Sequence, residues 1–258
     1  MSVNWAEMRK EMHPIKDYAD LRKRWQEAFA YPFVNETYNF TMDEIAGYTQ
    51  RLLGEDTRAR YVEYAQRLVG TFNQLHHAGV QDILNLVREI DTCDQFEIFT
   101  KQAGVNERDV IVVLKYLVYW FIPSKKLLSG LVDKDSSIKH AILVLRDMGI
   151  RTNLDILQQG LTPADRKAMA DTSGLAEAEI VELVHRADFS RMPWASKATI
   201  SNILGAGYES LTKLANADPE QLYKDFYQYG VSIGKNLKLG NEIDSSYRIA
   251  KIIPSIIE

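Results

Sequence analysis

The residues best suited to contact a ligand lie in the stretch MPWASKATISNILGAGYESL, from Met192 to Leu211, and just before it. The ring of Trp194 is suited to stack on a nucleic-acid base or to insert into a partner protein, and Arg191 and Lys197 supply positive charge on either side. Ser196 completes this candidate contact set. The alternative interpretation buries Trp194 between helices, as is usual for large aromatic side chains, and leaves the two cations in solvent.

Lys125 and Lys126 follow Pro123 and form a second candidate contact site, ahead of the apolar run LLSGLV. Two lysines are few against the several phosphate contacts that normally drive nucleic-acid binding. The competing interpretation, a charged helix start, is therefore favoured for this pair.

The sequence motifs predict no catalytic residue, no metal site and no cofactor. The chain lacks a Gly-x-Ser-x-Gly elbow, a Walker loop and a His-Glu-x-x-His motif. His76 and His77 are adjacent, about 100° apart on a helix, so they cannot bind one metal ion in the i, i+4 manner. Cys93 lies between Asp91 and Asp94, whose charges disfavour a thiolate. We therefore expect a protein that is not an enzyme.

An enzyme without a familiar motif is the alternative. Asp188 and Arg191, at i and i+3, would need a nucleophile and a pocket to act as a catalytic pair, and their simplest interpretation is a surface ion pair. A deep pocket that holds a carboxylate or a histidine with a strongly shifted pKa would support the enzyme interpretation.

Composition limits the classes of partner. The chain has 258 residues and a formal net charge of −4, so its surface as a whole does not attract polyanions. Residues 191–258 carry eight Lys and Arg against seven Asp and Glu, which is close to neutral. Nucleic-acid binding would therefore be local and weak. The cations available for it are Arg191, Lys197, Lys235, Lys238, Arg248 and Lys251.

The sequence predicts a cytoplasmic protein that does not enter a membrane. Cys93 is the single cysteine, so an internal disulfide is excluded, and no charged-then-apolar leader opens the chain. The most apolar run, from Val110 to Ile122, is interrupted by Lys115 and stops at Pro123. Since a bilayer crossing needs about 20 residues, we expect a buried helix there.

Helix signals recur along the chain and predict an all-α fold. Thr41 with Glu44 forms a capping box, and Thr162 and Asp218 are each followed by a proline at the first helical position. Glycines that follow apolar-periodic segments are predicted to end helices in the left-handed conformation. They are Gly54, Gly79, Gly104, Gly149, Gly174, Gly207 and Gly230.

An internal repeat organises the chain after about residue 65. A shift of 70 positions (149 − 79 = 70) places Gly79 on Gly149, with Gly104 on Gly174 and Pro123 on Pro193. A shorter match places Gly149 on Gly207. We therefore predict three helix-hairpin-helix-like units. The domains are an N-terminal helical cap at 1–65, a first repeat at 66–135, and the second and third repeats at 136–258.

From Ala141 to about Pro254 the chain resembles an uncharacterised bacterial family of helix-hairpin-helix-like domains, domain of unknown function 4332. The likeness rests on GIRTNLDILQQGLTPADRKAMADTSGLAEAEIVELVHRADFSRM and LGAGYESLTKLANADPEQLYK. Such hairpins usually read apolar-Pro-Gly-apolar-Gly, whose glycines let backbone N–H groups approach a phosphate. Here Trp194, Ala195 and Ser196 follow Pro193, so the resemblance implies the scaffold without the phosphate nest.

These observations predict a non-enzymatic binding or scaffold protein. The expected partner is a protein, contacted through the hairpin face near Trp194 and the loop from Pro123 to Lys126. The alternative is weak, sequence-independent binding of DNA or RNA through the hairpin repeats.

Overall fold

The chain folds into α-helices, as the sequence predicts. A computed structural model describes residues 3–54, 59–133, 136–237 and 241–258, and it contains sixteen α-helices and no β-strand in these ranges. The chain divides into two compact units, Met1–Ile122 and Pro123–Glu258. This division falls inside the segment 66–135 that was predicted to form the first repeat.

The first unit contains eight α-helices. They are α1 Trp5–Met12, α2 Tyr18–Phe29, α3 Pro32–Thr37, α4 Met42–Thr49, α5 Ala59–His77, α6 Ile83–Glu89, α7 Cys93–Ala103 and α8 Glu107–Tyr116. Two π-helical turns, Gln50–Gly54 and Leu117–Phe121, extend α4 and α8. Helix α1 is hydrogen-bonded to later helices, because Trp5 Nε1 donates to Glu97 at 3.1 Å and Lys115 Nζ donates to the backbone carbonyl of Glu11 at 3.0 Å. The residues predicted to form an N-terminal cap therefore share a core with α7 and α8.

The second unit also contains eight α-helices, after a short 3₁₀ turn at Leu128–Gly130. They are α9 Lys139–Asp147, α10 Asn153–Gln159, α11 Pro163–Ser173, α12 Glu177–Phe189, α13 Lys197–Gly205, α14 Leu211–Ala215, α15 Pro219–Ser232 and α16 Asn241–Ala250. Helix α12 is central, since it packs on α10, α11 and α13.

The predicted helix starts are confirmed. Thr41 and Glu44 form a reciprocal capping box, Thr162 caps α11 with Pro163 at its first position, and Asp218 caps α15. These side chains accept hydrogen bonds from the otherwise unpaired N–H groups of the first turn.

Five of the predicted glycine stops adopt a positive φ, and two do not. Gly79, Gly104, Gly149, Gly174 and Gly207 have φ values between 65° and 95°. Gly54 lies in a π-helical turn, without a positive φ, and Gly230 lies inside α15. The predicted left-handed conformation is wrong for both residues, and the predicted helix end is wrong for Gly230. Gly230 is needed for a different reason, because a Cβ there would lie 2.8 Å from the carbonyl oxygen of Lys235.

The helix bounds recur at the shifts found in the sequence. A shift of 70 residues (153 − 83 = 70) places α6 on α10 and α7 on α11, with equal lengths of seven and eleven residues. A shift of 58 (197 − 139 = 58) places α9 on α13, each nine residues long. The turns also agree, because the residue after each of Gly79, Gly149 and Gly207 donates its N–H to a carbonyl five residues earlier, at 2.9–3.2 Å.

The apolar run from Val110 to Ile122 forms most of α8 and the π-helical turn after it, and most of its side chains are buried. Among the described residues, no helix is both long enough and apolar enough to cross a bilayer.

Gly230→Ala is expected to lower the free energy of unfolding of the second unit by about 1–2 kcal/mol. The added methyl group meets the backbone of Lys235, and this overpacking outweighs the better helix propensity of alanine. Gly70→Ala in α5 is the control, since a Cβ there meets no atom within 4 Å. It should stabilise the first unit by up to about 1 kcal/mol. Urea denaturation of both variants tests the pair, and a stabilising Gly230→Ala would contradict the packing.

Candidate functional site

The predicted hairpin forms a tight turn between α12 and α13. Ser190 ends α12, and Ser196 caps α13 by accepting a hydrogen bond from the N–H of Thr199 at 3.1 Å. Trp194 lies between them with φ of 59°, the one non-glycine residue with a positive φ in the described part of the chain. Its side chain is 60% exposed. The alternative that buried Trp194 between helices is therefore wrong.

The backbone at Trp194 keeps the left-handed conformation that glycine would adopt without cost. For a residue with a Cβ this conformation costs about 1–2 kcal/mol. The protein carries this conformational free-energy cost at Trp194 although the indole is largely exposed and therefore gains little free energy from burial. This combination of backbone strain and an exposed large aromatic ring is typical of a contact residue.

Lys126 joins the two predicted contact loops. Its Nζ donates to the carbonyl oxygen of Ser190 at 2.7 Å and approaches that of Ala195 at 3.5 Å. Burial lowers the pKa of this ammonium group. Lys126 was predicted both as a surface contact and, alternatively, as part of a charged helix start. Neither interpretation is correct, because its ammonium group donates to backbone carbonyl oxygens at the end of α12 and in the turn before α13.

Asn153 joins the same two loops through the hydrogen bonds of its buried side chain. It is fully buried, its Oδ1 accepts the N–H of Lys126 at 2.7 Å, and its Nδ2 donates to the carbonyl of Ser124 at 3.0 Å and to Ser190 Oγ at 2.9 Å. The sequence analysis missed this residue. The signal was present, because the 70-residue repeat aligns Asn153 with the buried apolar Ile83, and a polar residue at a core position needs partners.

Arg191 is not a surface cation. Its side chain is fully buried and pairs with Asp188, which is 2% exposed. Arg191 Nε donates to Asp188 Oδ1 at 2.9 Å, and Asp188 Oδ2 accepts the N–H of Leu211 at 3.3 Å. The predicted surface ion pair is thus a buried one, and Arg191 does not belong to the exposed surface around Trp194. The i, i+3 spacing in the sequence predicted that these two residues form an ion pair, but it did not predict that the pair is buried.

The exposed parts of the two loops carry apolar and positive groups. Leu127 is 62% exposed and Trp194 is 60% exposed, and each is the chain neighbour of a residue in the Lys126–Ala195 contact. Lys125 and Lys197 are also exposed, and Lys197 Nζ lies 3.6 Å from Asp133 Oδ1. We call Lys125, Leu127, Trp194 and Lys197 the hairpin face.

The other cations named for nucleic-acid binding belong to later elements of the second unit than the hairpin face does. Lys235 follows α15, whereas Arg248 and Lys251 belong to α16 and the residue after it. Lys251 Nζ stacks over the ring of Tyr247 at 4.1 Å. Lys238 lies outside the described residues.

Clefts in the first unit bear on the enzyme alternative. One, of about 500 Å³, is lined by His77 and Glu89 beside the Gly79 turn, and another, of about 390 Å³, lies between α1 and the start of α8. Neither lining contains serine or cysteine. Cys93 lies at the start of α7, where burial and then Asp94 raise its thiol pKa. The sequence predicted this direction, but from the charges of Asp91 and Asp94 and not from burial. Within the described residues, no three His, Cys, Asp or Glu side chains group to hold a metal ion.

Trp194→Gly is expected to raise the free energy of unfolding of the second unit by about 1 kcal/mol. Glycine adopts a φ of 59° without the Cβ clash, and little buried surface is lost with the indole. Trp194→Ala is the control, because it removes the ring and keeps the strain. Urea denaturation that ranks the glycine variant below the alanine variant would contradict this account.

Comparison with known proteins gives one match. No curated protein and no solved structure matches the chain. The family named in the resemblance predicted for residues 141–254 matches over a shifted range, which includes α9 to α15 and the turn from Trp194 to Lys197. Residues 137–240 match the family model described as a domain of unknown function, DUF4332.

Proposed function

We propose that this chain is a non-enzymatic binding or scaffold protein that contacts another protein through the hairpin face. The observation that carries the proposal is Trp194, an exposed indole maintained on a strained left-handed backbone. Tryptophan is enriched among the residues that contribute most of the binding free energy at protein interfaces. Leu127 adds an exposed aliphatic side chain on the loop that Lys126 bonds to this turn. The family match offers no function of its own.

The charge around the hairpin face indicates the chemistry of the partner. The loops PSKKLL and MPWASKAT contain three lysines and no acidic residue, and the ammonium group of Lys126 is hydrogen-bonded to a backbone carbonyl oxygen. These lysines are too few to hold a polyphosphate backbone, and Lys197 Nζ already lies 3.6 Å from Asp133 Oδ1. They suit the polar rim of a protein interface whose centre is apolar. We therefore favour a protein partner over nucleic acid, and we place the protein in the cytoplasm on the strength of its single cysteine.

The recurrent helix bounds support the interpretation of the scaffold as helix-hairpin-helix-like repeats. On this interpretation, the turn at Trp194 stands where a repeat of this type carries a glycine-rich phosphate nest. The tryptophan side chain fills the place from which backbone N–H groups would approach a phosphate. A hairpin of nucleic-acid-binding type would thus serve protein binding in this chain.

Site-specific photo-crosslinking tests the face directly. A benzophenone amino acid that replaces Leu127 should crosslink to a protein in cells, and the product should resist nuclease treatment. Tyr227 on α15 is the matched control position, because it is 62% exposed, as Leu127 is. Equal crosslinking from both positions, or a product that nuclease removes, would contradict the proposal.

A further inference from the structure

The segment 252–258 lies on the second unit without regular secondary structure. Its main chain is bonded at two places, because Arg191 Nη1 donates to the carbonyl of Pro254 at 2.9 Å and Arg166 Nη2 donates to the main-chain oxygen of Glu258 at 2.7 Å. The N–H of Glu258 donates in turn to the carbonyl of Leu161 at 3.1 Å. The recognition is therefore directed mainly at the backbone of the segment.

The two arginines are prearranged for this task. Arg166 is 6% exposed and also donates to the carbonyls of Gly160 and Leu161, and Arg191 is oriented by Asp188. A buried guanidinium that loses an acceptor leaves unpaired donors, which is costly. The surface thus requires carbonyl oxygens of an extended chain at both places.

Side chains add a smaller apolar component. Ile253 is 7% exposed, and Ser255 and Thr212 share a hydrogen bond at 2.6 Å between their hydroxyl groups. The sequence IIPSII carries no charged side chain, so the binding of these six residues to this surface desolvates no ionised group of the segment. We name the surface formed by Leu161, Arg166, Arg191 and Thr212 the segment groove.

We propose that the segment groove is a binding site for an extended apolar peptide, and that residues 252–258 of a second copy of this chain can occupy it by exchange. Every contact described above would be reproduced in trans, because each copy carries the same groove and the same segment. Exchange of an identical element is a low-cost route to a dimer. The segment of the same chain competes with it at a high effective concentration.

A labelled synthetic peptide of residues 249–258 tests the groove in the full-length protein. Ile253→Asp should release the protein's own segment, and this variant should bind the peptide about tenfold more tightly than the wild-type protein, in which the tethered segment competes. Ser255→Asp is a milder variant at an exposed position and should show the same direction. A scrambled peptide is the control. Fluorescence anisotropy without binding to either variant would overturn the groove.

Mixing two impaired copies tests the exchange. The Ile253→Asp chain keeps an intact segment groove. An Arg166→Gln chain keeps an intact segment 252–258, but its groove binds that segment less tightly. Together they should form a one-to-one complex in native mass spectrometry, and each alone should not. Peptide binding without this complex would overturn the exchange between copies. The outcome does not depend on Trp194, so it is separable from the proposed function.

Discussion

Arg191→Met is expected to lower the free energy of unfolding of the second unit by about 3–5 kcal/mol. The substitution leaves the carboxylate of Asp188 buried at 2% exposure without its cation, although the N–H of Leu211 still donates to it. An uncompensated buried charge is among the largest single penalties in a folded protein. The carbonyl of Pro254 also loses its donor.

Two further variants separate the charge penalty from the loss of packing. Asp188→Leu combined with Arg191→Met removes both charges and should recover most of the loss. Lys213→Met breaks the exposed pair with Glu209 and should cost less than about 1 kcal/mol. Hydrogen exchange of α12 peptides across a urea series reports on the second unit alone. A loss below about 1 kcal/mol for Arg191→Met would contradict the burial of this pair.

Asn153→Ala is expected to cost about 3 kcal/mol, the second largest effect. It removes three hydrogen bonds of a fully buried side chain, namely those with the N–H of Lys126, the carbonyl of Ser124 and the hydroxyl of Ser190. The loops that carry Leu127 and Trp194 then lose the side chain that joins them. Exchange of the amides in the turn should therefore accelerate together with the loss of stability.

Asn216→Ala provides the matched control for Asn153. Asn216 is exposed, and its amide donates to the carbonyl of Thr212 at 3.0 Å. Its removal should change the free energy of unfolding by less than about 0.5 kcal/mol. Similar losses for the two variants would show that Asn153 does not hold the loops.

The fold was largely predictable because its signals are local. A cap such as Thr162 satisfies N–H groups three residues away, and a glycine such as Gly149 ends a helix through its own φ. These interactions need no knowledge of distant residues. Gly230 shows the limit, since its reason is the close approach of Lys235 and not its own backbone conformation.

The site was less predictable because burial depends on distant chain segments. Arg191 and Lys126 carry charges that the sequence placed on the surface, yet each faces carbonyl oxygens supplied from elsewhere in the second unit. Trp194 shows the reverse, since its residue type favours burial and its strained turn directs it outward. The sequence analysis singled out these loops but did not predict which of their side chains contact solvent.

Affinity capture with Trp194→Gly tests the central claim most directly. The glycine retains the left-handed turn and removes only the indole, while Val231→Ala removes an equally exposed apolar side chain on α15. We expect the wild-type protein and Val231→Ala to retain the same protein after nuclease treatment, and Trp194→Gly to lose it. Undiminished retention by Trp194→Gly would contradict the assignment of the hairpin face as the binding surface.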